Sequence, residues 1–138
     1  DVYKRQDRAI AAVRQNYNTF VKLAVPLLFS EKTRRFFKSE IKTITKEALK
    51  MSPRSIVAAL KGMRERESRI HIYEKNNFPI MLIAGENDPA LDYHTLVAQI
   101  KNTSVQFISF PDGHMSHIEN RRDFLNTIVV FFRYCSRK

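Results

Sequence analysis

Apolar positions recur every three or four residues through the first half of the chain. Ile10, Val13, Tyr17, Phe20, Val21 and Ala24 place one amphipathic helix over residues 5–24, which Pro26 ends. Ser30 is a candidate cap for a short helix carrying Phe36 and Phe37. Ser39 is a candidate cap for the next, with Ile41, Ile44, Ala48 and Met51 on one side. Ser52-Pro53 is a start signal, a capping hydroxyl before a proline at the first helical position. That helix presents Ile56, Val57, Leu60 and Met63 and fades near Glu67. Asn76, Asn77 and Pro79 then mark a boundary.

Beyond it the period changes. Ile80 to Ala84 is a continuous apolar run stopped by Gly85, the pattern of a strand buried on both faces. Leu91 to Lys101 reads as a helix with Leu96, Val97 and Ile100 inward. Val105 to Phe110 reads as a second strand closed by the turn Pro111-Asp112-Gly113. Asn120 is a candidate cap for a last helix carrying Phe124, Leu125, Ile128, Phe131 and Phe132. Strand, helix, strand, helix implies a parallel pair with a crossover. An apolar strand with one partner wants further neighbours, so the expectation is the end of a larger α/β protein with its other strands upstream. The chain starts at Asp1, and residues 1–6 are read as a possible non-native leader.

Composition narrows the chemistry. Cys135 is the single cysteine, which excludes an internal disulfide and a multi-cysteine zinc site. The three glycines, Gly62, Gly85 and Gly113, cannot write a dinucleotide fingerprint, a Walker loop or a G-x-S-x-G elbow. No apolar run approaches the roughly 18 residues of a membrane span. No signal peptide is visible, and a cytoplasmic location is the expectation. Net charge is +10, all of it carried by residues 1–75, while residues 76–138 balance to zero. The positives interleave with apolar positions, so they read as solvated helix faces in preference to an anionic partner. Lys32-Thr33-Arg34-Arg35-Phe36-Phe37-Lys38 mixes bases with aromatics. No RNA-binding signature or zinc finger supports it, and nucleic acid is disfavoured as a partner.

Parallel sheets gather functional groups outside the carboxyl ends of their strands. Two loops fall there, Gly85-Glu86-Asn87-Asp88-Pro89 and Pro111-Asp112-Gly113-His114. If the strands pair, an acid from one loop reaches an imidazole from the other. That supplies two members of a nucleophile–His–acid system, the nucleophile coming from elsewhere. Glu86 and Asp112 are rival acids. His114, His117 and Glu119 raise a metal site, but no further ligand sits at a telling spacing. Ser30 and Ser52 read as caps, not nucleophiles, and Cys135 as an incidental thiol. His71 and His94 show no pattern. Phe29, Phe36, Phe37, Met51 and Met63 could line an acyl pocket, although helix packing explains each singly.

The segment Pro79-Ile-Met-Leu-Ile-Ala-Gly85-Glu-Asn-Asp88-Pro resembles the acid-bearing strand and loop of α/β-hydrolases. Phe110-Pro-Asp-Gly-His114-Met-Ser-His-Ile-Glu119-Asn120-Arg-Arg-Asp-Phe124 resembles their histidine loop and last helix. Acid before histidine, with serine expected upstream, is also the family's order. Met51-Ser52-Pro53 and the helix running to Arg66 are similar to caps of lactonase- and esterase-like members. The resemblance implies an α/β fold: the C-terminal part of a hydrolase-like parallel sheet, two strands with flanking helices, behind an all-helical cap. Its expected limits are 7–77 for the cap and 78–138 for the β-α-β-α segment. It implies Asp88 as triad acid, His114 as base, and Glu119 at an acidic position of mostly structural role. His117, Glu119, Phe36, Phe37 and Met63 are the pocket or second-shell candidates.

The expected reaction is hydrolysis of a small ester, lactone or thioester, with no cofactor and no metal. The nucleophile and oxyanion hole are absent from this sequence, so the expected partner is the missing half of the fold, and turnover by this piece alone is not expected. Dehalogenase or C–C hydrolase chemistry on the same scaffold, or a non-catalytic basic interaction module, are the alternatives.

Overall fold

The computed structural model describes residues 2–137, and of Val2 only the backbone. The chain divides into two compact units, Asp1–Pro26 with Phe37–Ser68 and Leu27–Phe36 with Arg69–Lys138. Residues 27–36, inside the stretch read as the cap, thus belong by their contacts to the strand-bearing unit.

The first unit holds α1 (Val2–Gln15), α2 (Tyr17–Ala24), α3 (Lys38–Ala48) and α4 (Pro53–Glu65). The single helix expected over 5–24 is broken at Asn16. Its backbone is extended (φ −156°, ψ 94°) and its side chain accepts the Thr19 amide at 3.0 Å. Asparagine competes for backbone donors and so favours caps over helix interiors. Ile10, Val13 and Val21 are buried, as their spacing implies, while Tyr17, Phe20 and Ala24 are half-buried and Val25 is buried in addition. The Tyr17 hydroxyl donates to the Ala48 carbonyl at 2.5 Å and ties α2 to the end of α3. Ser52 caps α4 as expected, its oxygen accepting the Ser55 amide at 3.0 Å, with Pro53 first in the helix. Ser39 does not cap α3. The helix starts at Lys38 with Phe37 in the cap position, two residues earlier than expected, and Ser39 lies within its first turn.

The second unit holds α5 (His71–Glu74), β1 (Met81–Gly85), α6 (Tyr93–Ile100), β2 (Gln106–Phe110), α7 (Ser116–Glu119) and α8 (Arg121–Cys135). The strands pair in parallel, in register from Met81 opposite Gln106 to Gly85 opposite Phe110. Asp92 caps α6 by accepting the Thr95 amide at 2.7 Å. Hydrogen bonds from the Thr95 side chain and backbone hold its carboxyl below the ordinary value. The turn into β2 passes through Asn102 at φ 66°, a left-handed conformation that asparagine tolerates.

The expectation of a strand buried on both faces holds only for the end of β1. Ala84 and Gly85 are buried, while Met81, Leu82 and Ile83 are half-buried. With one partner strand, β1 keeps an open edge. Likewise Leu125, Val129, Val130 and Phe132 stand exposed on α8. Among the described residues no helix is long and apolar enough to cross a membrane.

Candidate active site

The register sets Gly85 opposite Phe110, so both strands end together and their following loops leave side by side. The Glu86 amide donates to the Phe110 carbonyl at 2.8 Å, extending the ladder past the strand end. Asn87 then joins the loops twice. Its backbone amide donates to the Asp112 carbonyl and its side-chain amide to the Pro111 carbonyl, both at 2.9 Å. The approach is close enough to require glycine. A Cβ on Gly85 would collide with the backbone of Asp112 and Gly113, and one on Gly113 with the backbone of Leu28, Phe29 and Ser30.

Asp88 sits at the turn of the first loop with all but 4% of its side chain covered. Oδ1 accepts the amides of Ala90 at 2.6 Å and Leu91 at 3.1 Å. Oδ2 lies 2.8 Å from Nδ1 of His114, whose side chain is 41% exposed. An ionised carboxylate only accepts, so this contact assigns the ring proton to Nδ1 and leaves Nε2 with a lone pair. Among the described residues no hydrogen bond engages Nε2. The arrangement can therefore accept a proton at Nε2 and stabilise the resulting imidazolium through Asp88.

Behind His114 the loop is seated on residues 28–33. The His114 amide donates to the Leu28 carbonyl at 2.8 Å. Glu119 Oε1 accepts the Ser30 amide at 2.9 Å and the Thr33 hydroxyl at 2.5 Å, and Oε2 accepts the Gly113 amide at 3.1 Å. Glu119 is thus a bracket for the histidine loop. Asp112 is buried beside it. Burial pushes the Asp112 carboxyl up, the Glu119 charge adds to this, and a hydrogen bond from the Asn120 side chain opposes both.

Two expected caps have other work. Asn120 makes no side-chain cap for α8 and donates instead to Asp112. The Ser30 hydroxyl is buried and has no hydrogen-bond partner among the described residues, and it is the Ser30 carbonyl that accepts the amides of Thr33 and Arg34. The residues that follow form a single 3-10 turn, Arg34–Phe36.

The remaining candidates scatter. His117 is exposed, its ring centroid 6.0 Å from that of Phe124. Phe36 is 68% exposed, with the Arg35 guanidinium 4.7 Å from its ring. Phe37 and Met63 belong to the helical unit, and Met63 is exposed. Glu86 accepts the Ser109 hydroxyl at 2.9 Å and Asp112 accepts from Asn120, and among the described residues neither rival acid bonds His114. Among the described residues no three His, Cys, Asp or Glu side chains cluster to hold a metal. Sequence reasoning missed Asn87 and Thr33. Asn87 carried a signal, a two-donor amide beside the candidate acid. Thr33 carried none, because its partner is 86 residues away.

No family model matches the chain, and no curated protein matches it. Solved structures do. An esterase from Exiguobacterium antarcticum superimposes with a TM-score of 0.76 at 15% identity, over 95% of this chain and 48% of that one. A thermophilic esterase from Thermogutta terrifontis, solved with malate bound, superimposes with a TM-score of 0.83 at 23% identity, over 97% and 50%. The chain spans about half the length of these structures. The likeness shows the fold: this is an α/β-hydrolase-like assembly of two parallel strands and flanking helices.

Proposed function

We propose that Asp88 and His114 are the acid and base of a Ser–His–Asp ester hydrolase. His114 Nε2 takes the proton of a serine hydroxyl as that oxygen attacks the substrate carbonyl, then returns it to the leaving alcohol. Asp88 holds the tautomer and stabilises the imidazolium. On this reading the serine and the oxyanion donors come from outside this chain, which spans about half the length of its esterase neighbours. The substrate class is a small ester, lactone or thioester, and we read the helical unit, residues 7–26 with 37–68, as the helical insertion of such enzymes. The observation that carries the reading is the 2.8 Å contact between a covered carboxylate and an accessible imidazole at the ends of adjacent parallel strands.

The test is hydrolysis of p-nitrophenyl acetate by the intact gene product, compared with its His114→Ala and Asp88→Asn forms. Asn in place of Asp88 favours the wrong tautomer, and kcat should fall by about 10⁴. Asp88→Asn activity within a few-fold of the parent overturns the assignment.

A further inference from the structure

Lys38, Lys42 and Lys46 recur at every fourth residue of α3. All three are exposed, and no ion pair among the described residues engages them. Lys50, just past the helix end, continues the series and is bonded to Glu47 at 2.7 Å. In sequence these lysines alternate with isoleucines, threonines and acids. On the helix they sort into a row with about 6 Å between neighbours. Glu40 and Glu47 fall on a different side, and Ile41 and Ile44 are half-buried. None of the three lysines has an acidic residue three or four positions away. Each consecutive pair is therefore a like-charge pair at a spacing where repulsion weakens the helix. An ordinary solvated helix relieves such pairs with interspersed glutamates. This one concentrates them on one exposed side.

We propose that this row is a docking surface for the phosphate backbone of a nucleic-acid duplex. A strand of duplex carries one phosphate about every 3.4 Å along its axis, so a lysine about every 6 Å meets roughly every second phosphate. Within α3 itself no large apolar side chain is exposed, the nearest being Phe36 before the helix and Met51 after it, so the helix lacks the apolar face that lying in a lipid surface needs. Nor does α3 contain an aromatic residue on which unpaired bases could stack. Contact through phosphates alone predicts binding that is weak, salt-sensitive and indifferent to base sequence. It accounts for a basic excess that the hydrolase reading leaves unused, and it stands independently of that reading.

The experiment measures anisotropy of a fluorescent 20-base-pair duplex with the intact gene product over a salt series. Each lysine in contact contributes about 0.9 to the slope of log K against log salt. Replacing Lys38, Lys42 and Lys46 by Gln should therefore flatten the slope by about 2.7. Lys42→Glu places an acid between two lysines at favourable helix spacing. It should raise the melting temperature while weakening duplex binding several-fold, a pair of opposite signs that loss of folding cannot imitate. Lys61→Glu, an equal charge change on exposed α4, should leave binding within twofold of the parent. The proposal fails if the duplex does not bind at 50 mM salt. It fails if Lys61→Glu weakens binding as much as Lys42→Glu. It also fails if vesicles of 30% phosphatidylserine bind the chain and the duplex does not.

Discussion

Glu119 offers a sharp test of how the histidine loop is held. Its carboxylate accepts the Ser30 amide, the Thr33 hydroxyl and the Gly113 amide. Ser30 is 1% exposed and Gly113 is buried, so water cannot replace the carboxylate at either amide. Glu119→Ala leaves two buried N–H groups without an acceptor, each costing about 1–3 kcal/mol. The half-buried Thr33 hydroxyl can rotate and recovers part of its loss. Removing the Glu119 charge also relieves Asp112, which that charge disfavours. The expected net loss is about 2–4 kcal/mol. Glu119→Gln keeps one acceptor oxygen but turns an NH₂ group toward a donor, so it should fall between the parent and Ala, about 1–2 kcal/mol down. Urea denaturation followed by far-ultraviolet circular dichroism measures both, since the chain has no tryptophan to report on folding. A Glu119→Ala loss under about 1 kcal/mol, or a Gln variant no better than Ala, refutes the bracket.

Two other perturbations read the same neighbourhood. The Asp112 carboxyl is raised above 3.8 in the folded state, chiefly by burial, so the folded chain binds a proton more readily than the unfolded chain. Lowering pH from neutrality through the raised folded value therefore favours folding at this site, and the gain is complete below 3.8. Measured by denaturation at several pH values, the parent should gain stability relative to Asp112→Asn as pH falls through that window; a constant difference would count against the shift. The unpartnered Ser30 hydroxyl makes the second prediction: Ser30→Ala should hold or raise stability by about 1 kcal/mol, and a loss of that size in the same assay would show that the hydroxyl has a partner after all.

Much of the site was legible because its parts are local. A short apolar run stopped by Gly85, and another closed by Pro111-Asp112-Gly113, locate two strand ends within a residue of where they fall. Short parallel strands that end in register put Asp88 near His114, and the structure sets them 2.8 Å apart. Where Asn16 and Asn120 departed from expectation, a side chain had two possible partners. Asn16 prefers a cap to the interior of a long helix. Asn120 and Ser39 have capping side chains, yet Asn120 bonds Asp112 and Ser39 is carried inside α3. Propensity ranks what a residue can do alone and is silent on a better partner brought close by the fold.

The amino-acid order by itself determined the helical first half, the parallel strand pair and the pairing of an acid loop with a histidine loop. Each of these follows from period and turn chemistry over a few residues. Tertiary structure alone decided that residues 28–33 seat the histidine loop, that Glu119 fastens them across 86 and 89 positions of sequence, and that Asp112 is buried. It also decided which lysines of α3 stand exposed and unpaired, so that charges alternating in sequence become one row. The physical reason is common to both: hydrogen bonds and charges act through distance in space, and only the folded backbone says which distant groups come within reach.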